Sequence, residues 1–455
     1  MSESFLDRLQ RQAGWSLAAL NNRQLVICGD AGGMVRTLAL AAVCSGWRRV
    51  AFASAGKARG FLGAVAEEVM GHLGGSCRYL PIYSPEFVRI INRWEQVWIV
   101  DAGDRENDGV TPKDGHGFYY AECRTPEGDE FIALGTDRDQ VTRWRKGSPV
   151  ADRAEVPAVC AMLLIGALAS AEVCLQLAPI PAFCRIGLPP IPSRWHSPQV
   201  ATLYAGGGGA IAQQEIWAEY LDPVLRRINQ EGQILVVDPK IVHESCRSRQ
   251  WAYGPETLFL PKADLTAGWL RALFPGVVAR SFTEPLAENH FRSVDITEAL
   301  SSIDTWSGRK VLANLCSNYN IDWWSAGASF WGGFARRVSG ASDLCASADE
   351  GVERLSTRPD DEVDGRSCTG QSTPEPSSVL PHMILGSWIA CQRRSVFLGQ
   401  SHSRTLAQGI EAHLTHGGLM PGYEGLRWSP GRLVNLRTVA FQKGGGGCAR
   451  AGSAC

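Results

Sequence analysis

No two of the fourteen cysteines are spaced C-x-x-C, which removes zinc-ribbon and thioredoxin-type readings. Charge of one sign is also missing. Lys and Arg total 45 against 46 Asp and Glu, for a net charge of −1, so the chain carries no basic footprint for nucleic acid or an acidic membrane surface. The nine histidines are scattered, without i,i+4 pairs, and organise neither a metal site nor a Ser-His-Asp order. Long apolar runs are nearly absent. The longest, Ala158 to Leu175, carries Glu172 and many small residues, stands at the lower edge of a membrane span, and reads as a core helix. The opening MSESFLDRLQRQ has no apolar core, so no secretory signal is expected. Together these predict a cytoplasmic chain with free thiols and no membrane or nucleic-acid partner.

What is present is an α/β grammar written twice. Residues 21–54 read as strand, Gly-rich turn (Gly29, Gly32, Gly33), apolar helix and strand, and EQVWIVDAGD (95–104) supplies a third strand. Residues 200–238 repeat the pattern as strand, Gly-rich turn, long helix and strand, with GRKVLANLCSN (308–318) read as the later strand. Apolar helices are predicted near the end of each half, over 158–176 and 380–399. The chain at the join, RIGLPPIPSRWHSPQ, holds four prolines and reads as a linker. The expectation is two tandem Rossmann-like domains with mostly parallel sheets. The first spans 1–185 with an excursion near 104–150. The second spans 186–400 with a polar loop at 339–378, and a small segment with a low-complexity tail follows at 401–455.

Chemistry concentrates in the second half. AGGGGAIA (205–212) fits G-x-G-x-x-A through Gly207, Gly209 and Ala212. Glycine admits phosphate oxygens close to the backbone, and the following helix start offers unpaired N–H groups. The first-half turn GDAGG lacks the spacing and places Asp30 where an anion would sit, so no nucleotide is expected there. Asp238 ends the second strand of the later unit, where a carboxylate takes ribose hydroxyls, about thirty residues past the glycines rather than the usual ~20. Arg249 and Gln250 follow in a polar turn, and a guanidinium suits phosphate. Lys262 opens the next predicted helix. A solvated surface turn is the bland alternative for the arginines.

At DPKIVHESCRSRQ the sequence resembles the ThiF/MoeB/HesA family of ubiquitin-activating-enzyme-like adenylating enzymes, whose pattern runs D-x-D-x-V-x-x-S-N-L-x-R-Q. Asp238, Val242, Ser245, Arg249 and Gln250 match, while Lys240 stands for the second acid and Cys246 for the Asn. ALFPGVVARSF (272–282) resembles the strand that follows. The opening DRLQRQAGWSLAALNNRQLVICG resembles the family's first segment, in which an arginine, here Arg11 or Arg8, serves the other domain's active site. The tandem layout is similar to activating enzymes that pair an inactive domain with an active one. The family's Asp–Asn pair after the later strand reads Ser317–Asn318 here, with Asp322 four residues on and Asp104 kept in the first half. This departure puts adenylation competence in question.

The resemblance implies ATP and Mg²⁺ in the second domain, with Gly207, Gly209, Asp238, Arg249, Gln250, Lys262 and Ser317 around the nucleotide. It implies that Arg249, Lys262 and Arg11 stabilise the α-phosphate. It implies a ubiquitin-like protein as substrate, a thioester on Cys368 (with Cys345 as competitor), and transfer to a conjugating-enzyme-like protein, as in bacterial ubiquitin-like conjugation operons with antiphage roles. Cys246 and Cys316 read as packing residues. A homo-oligomer stays open. Two alternatives stand beside this reading: a sulfur-carrier or peptide adenylyltransferase without thioester transfer, and a catalytically inactive tandem scaffold.

Overall fold

The computed structural model describes residues 24–28, 39–47, 49–54, 76–81, 97–101, 116–124, 130–135, 183–188, 195–328, 333–340, 379–399, 410–413, 417–422 and 425–430. Residues 158–176, Arg8, Arg11, Asp104, Cys345, Cys368 and the tail beyond 430 lie outside them.

Two eight-stranded sheets share one plan. The first contains β1 (Gln24–Cys28), β2 (Arg49–Ser54), β3 (Ser76–Pro81), β4 (Val97–Asp101), β5 (His116–Arg124), β6 (Glu130–Gly135), β7 (Phe183–Leu188) and β14 (Ile410–His413), in the order β14-β7-β6-β5-β4-β1-β2-β3. The second contains β8 (Ala201–Ala205), β9 (Gln233–Val237), β10 (Val278–Phe282), β11 (Glu298–Ser301), β12 (Asp322–Ala328), β13 (Gly333–Val338), β15 (Gly417–Gly422) and β16 (Gly425–Pro430), in the order β10-β9-β8-β11-β12-β13-β16-β15. In each, five strands pair in parallel and three antiparallel strands extend one edge. The stretch 104–150, expected as an excursion, instead supplies β5 and β6 to the first sheet. The segment after 400 supplies strands to both sheets.

The second sheet is built as its sequence dictates. β8 (ATLYA) is buried along its whole length, and β9 (QILVV) at all but its first residue, as central parallel strands covered on two faces require. Alternation sends Tyr204, Ile234 and Val236 into one core and Leu203, Leu235 and Val237 into the other. The first core is covered by α1 (Ala210–Leu221), α3 (Lys262–Leu273) and α6 (Val379–Phe397). The second is covered by α4 (Glu288–Arg292) and α5 (Trp306–Asn318).

Two expectations need correction. The long helix after the glycines is two helices, because α2 (Pro223–Glu231) starts afresh at Asp222, whose carboxylate accepts from the N–H groups of Val224 and Leu225. Pro223, lacking an N–H, suits that first helical position. The extra helix accounts for the long interval between the glycines and Asp238. Residues 308–318, expected as a strand, belong to α5, which Thr305 caps. The strand paired beside β8 is β11, only four residues long.

Below the sheet a cluster of charge locks α6 in place. Arg393, fully buried on α6, pairs with Glu219 of α1 and Glu298 of β11 and lies 3.6 Å from Glu215 of α1. Glu219 also accepts from Tyr204 Oη (2.9 Å) and Asn229 Nδ2 (2.7 Å), and Glu298 accepts from Thr202 Oγ1 (2.9 Å). Gly386 brings α6 against α1. A Cβ there would stand 2.5 Å from Ile211 O and 2.9 Å from both Gln214 Cβ and Glu215 N. Next to the cluster, Arg394 meets the capping Asp222 at 3.0 Å.

One guanidinium cannot neutralise three carboxylates. Burial pushes the Glu215 carboxyl from its ordinary 4.5 to about 8, with Arg393 opposing the shift and Glu298 adding to it. Between pH 4.5 and 8 the folded chain therefore holds a proton that the unfolded chain has released, and stability falls as pH rises through that window. Its slope is up to about 1.4 kcal/mol per pH unit. Glu215→Gln, a neutral mimic of the protonated acid, should flatten the pH dependence of urea unfolding and raise the pH 8 midpoint relative to the parent. A variant with the parental slope would place the proton elsewhere.

Candidate functional site

The turn after β8 lies at the point where strand order reverses, between β9 on one side and β11 on the other, the usual place for a ligand in an open α/β sheet. Four glycines in a row are needed because four surfaces press on them. Gly206 has φ +70° and lies against the backbone of Ser302 and Ile303, 3.0 Å from where its Cβ would be. A Cβ on Gly207 would strike Val236 Cγ1 at 2.6 Å. One on Gly208 would strike Lys262 Cβ, Tyr253 Oη at 2.8 Å and Asp238 Oδ2 at 2.9 Å. One on Gly209 would meet Ser302 Cβ at 3.1 Å. The loop then enters α1, whose Gly209 cap offers no side-chain acceptor and whose first turn holds no acid. That helix start is suited to an anion.

Asp238 follows β9 directly and is buried. Its Oδ2 accepts from Gly208 N–H (3.0 Å) and its Oδ1 from Lys240 N–H (3.0 Å). Burial raises its pKa, while the neighbouring Lys262 charge and the two N–H bonds pull it back down. Each oxygen still has a lone pair to offer an incoming hydroxyl. Lys262, the first residue of α3, is 2% exposed, and its backbone N–H donates to Lys240 O (3.0 Å).

The turn carrying Arg249 and Gln250 is buried rather than solvated. Trp251 pins it, making edge contacts with Trp217 of α1 (6.0 Å) and Trp269 of α3 (5.5 Å). Ala252 N–H donates to Gln213 Oε1 (3.2 Å), and Tyr253 Oη donates to Gly208 O (3.1 Å). Arg247 holds the turn from within, donating to Tyr253 O (3.3 Å) and pairing with Glu244 (2.6 Å). The R-Q turn, the glycine loop and the starts of α1 and α3 thus form one body.

Gly207, Gly209, Asp238, Arg249, Gln250 and Lys262 all belong to this body. Ser317 does not. It lies exposed near the end of α5, eleven residues past that helix's start and so about 16 Å further along its axis. The misreading has a physical source, since 308–318 forms a helix. The residue that does follow the strand beside β8 is Asp304, three positions past β11. Asp322 is no substitute. It starts β12, accepts from Gly340 N–H (3.0 Å) and pairs with Arg337 (2.6 Å). Gly208, Tyr253, Trp251, Lys240 and Asp304 went unassigned by motif. An aromatic one residue beyond the R-Q pair was the available signal for Trp251.

The backbone just before Asp304 is held by Arg309, which donates to Ile303 O (2.7 Å) and Ala326 O (2.9 Å). Burial lowers the Arg309 pKa to about 10, and Asp304 partly offsets this. Both oxygens of Asp304 accept from Lys240 Nζ at 2.7 Å.

Two tests bear on what the site can hold. The space over Gly208 does not admit a Cβ, and the buried atoms Gln250 Oε1 and Ser301 Oγ have no hydrogen-bond partner in the protein, which leaves polar atoms for a ligand to satisfy. A protein-held divalent ion does not fit as well. Asp238 serves two backbone N–H groups, Asp304 serves an ammonium, and no cluster of three His, Cys, Asp or Glu occurs among the described residues. Among the described cysteines, Cys44, Cys246, Cys316 and Cys391 are buried thiols outside any disulfide, and burial pushes the Cys316 thiol up to about 12. No described helix is long and apolar enough to cross a membrane.

A glycine loop at the switch point, a strand-end carboxylate and buried cations define a Rossmann-like nucleotide-binding domain. Residues 205–418 match the model of the ThiF family, so this region is a ThiF family domain. No curated protein matches the chain. A solved structure titled "Crystal Structure of SeMet PaaA" resembles it at 12% identity with a TM-score of 0.35, over 47% of this chain and 72% of that one, a likeness too loose to bear on function.

Gly208→Ala tests the cradle. The added methyl should cost about 1–3 kcal/mol in denaturant unfolding, as overpacking does. It should also weaken nucleotide binding at least about tenfold in calorimetric titration, since the loop must withdraw from Asp238 and Lys262. Undiminished binding would place the phosphates elsewhere.

Proposed function

We propose that the chain is an ATP-dependent activating enzyme that adenylates the C-terminal carboxylate of a small ubiquitin-like or sulfur-carrier protein. The observation that carries this reading is the convergence of Asp238, Lys262 and the Arg249–Gln250 turn on the glycine loop of a ThiF family domain.

In this reading the ribose hydroxyls bind Asp238, and the phosphates lie along the glycine loop at the start of α1. The carrier's carboxylate attacks the α-phosphorus. The bond to the bridging oxygen of pyrophosphate breaks, giving an acyl-adenylate and free pyrophosphate. Charge building on the α-phosphate meets Arg249 and Lys262, held rigidly before the reaction starts. Arg11 from the first half joins them in the tandem arrangement. Support for that arrangement is the strand order shared by the two sheets. The first half is the inactive partner, because its turn GDAGG and strand end at Ser54 lack the acid and the R-Q pair.

The reading extends to a second step, in which the Cys368 thiolate displaces AMP to form a thioester for a conjugating-enzyme-like protein. The polar surroundings of Cys368 and its place shortly before α6 support it. An operon of bacterial ubiquitin-like conjugation with an antiphage role is the setting the tandem form suggests. The scaffold alternative rested on Ser317, and it weakens because that residue lies on α5 away from the loop while an acid, Asp304, follows β11.

ATP–pyrophosphate exchange separates the steps. Exchange should require a carrier with a free C-terminal carboxylate. Arg249→Ala and Lys262→Ala should each lower it about a hundredfold or more. Cys368→Ala should leave exchange intact and abolish only a thiol-sensitive carrier adduct on non-reducing gels. Exchange absent in the folded parent with every carrier tried would count against adenylation.

A further inference from the structure

The strap across the glycine loop is assigned by neither the motif nor the fold. β9 and β11 flank β8 on opposite sides, about 10 Å apart. Lys240 follows β9 and Asp304 follows β11, and Lys240 Nζ reaches both carboxylate oxygens of Asp304 at 2.7 Å. The pair therefore passes over the end of β8, where the glycine loop begins. Lys240 is not a loose surface lysine. Its N–H donates to Asp238 and its carbonyl accepts from Lys262 N–H, so both of its backbone groups are bonded to site residues. Its side chain is 22% exposed and that of Asp304 is 47% exposed, so the pair is open to solvent.

We propose that the Lys240 ammonium is an internal cation for the nucleotide's polyphosphate, held at the mouth of the loop by Asp304 in the position where a divalent ion would otherwise join carboxylate to phosphate. Three facts support it. The ammonium is a compact charge with three donors, so it can keep one carboxylate and still donate to a phosphate oxygen. Asp304 is the acid that follows β11, and both its oxygens accept from Lys240 Nζ. A partly exposed pair of this kind is held together only weakly, so an arriving phosphate can share the ammonium at small cost. The consequence is that nucleotide binding depends only weakly on a divalent ion, and any Mg²⁺ present travels with the nucleotide rather than on the protein.

This inference rests on the adenylation site proposed above. Its test is direct calorimetric titration of the full chain with ATP, once with excess Mg²⁺ and once in EDTA. The parent should bind in EDTA within a few-fold of its affinity with Mg²⁺. Lys240→Ala should lose about tenfold or more in EDTA and much less with Mg²⁺, as loss of a charge-assisted contact predicts. Lys240→Arg should restore most of the EDTA affinity, and unchanged thermal melting would show that the fold is intact. A parent that binds ATP only with Mg²⁺, or a Lys240→Ala variant with parental affinity in EDTA, would overturn the internal cation while leaving the nucleotide site standing. A folded parent that binds ATP in neither buffer would instead remove the site reading itself.

Discussion

The guanidinium of Arg393, buried among Glu215, Glu219 and Glu298, is the interaction on which the rest of the second domain depends. It joins the last described helix to α1 and to β11, which lie far apart in sequence. Isolated in a core, any one of these charges would be very costly, so each element is placed by the need to keep the others company. α1 begins at the glycine loop, and β11 leads to Asp304. The ion cluster beneath the sheet thus holds the two sides of the site above it. Gly386 allows this by letting α6 approach the backbone of α1.

The upper side is built differently. There the constraint is steric, with Gly208 wedged among Asp238, Tyr253 and Lys262, and the energy comes from aromatic packing around Trp251. A charged site supported on an apolar anchor needs little rearrangement when a ligand arrives. Rigidity of this kind also explains why Arg249 and Gln250, which look like surface residues by composition, are buried.

Much of this was legible in the sequence. Strands β8 and β9 were evident because they are continuously apolar. Asp238 stood out because it ends an apolar strand, although its interval from the glycines was too long for the usual pattern, and the R-Q turn and Lys262 stood out through the resemblance to the ThiF/MoeB/HesA signature. The failures are local. β11 reads EALS, too short and too polar to stand out, although it pairs on both sides in the sheet centre. GRKVLANLCSN was read as a strand, yet Leu312, Leu315 and Cys316 recur at helical intervals and pack in one core. Missing β11 moved the expected acid from Asp304 to Ser317. The Lys240–Asp304 pair joins residues 64 positions apart and no motif would show it.

The strands after residue 409 have a consequence for how the chain comes to be folded. β14 closes the edge of the first sheet, and β16 with β15 extends the second. Only residues 414–416 separate β14 from β15, so the end of β14 and the start of β15 stand no more than about 14 Å apart. During synthesis the parallel strands of both sheets are made long before these partners exist. Each nascent sheet therefore waits with an unpaired edge until residues 410–430 emerge, a period when a chaperone, or a second nascent copy, can add to that edge instead.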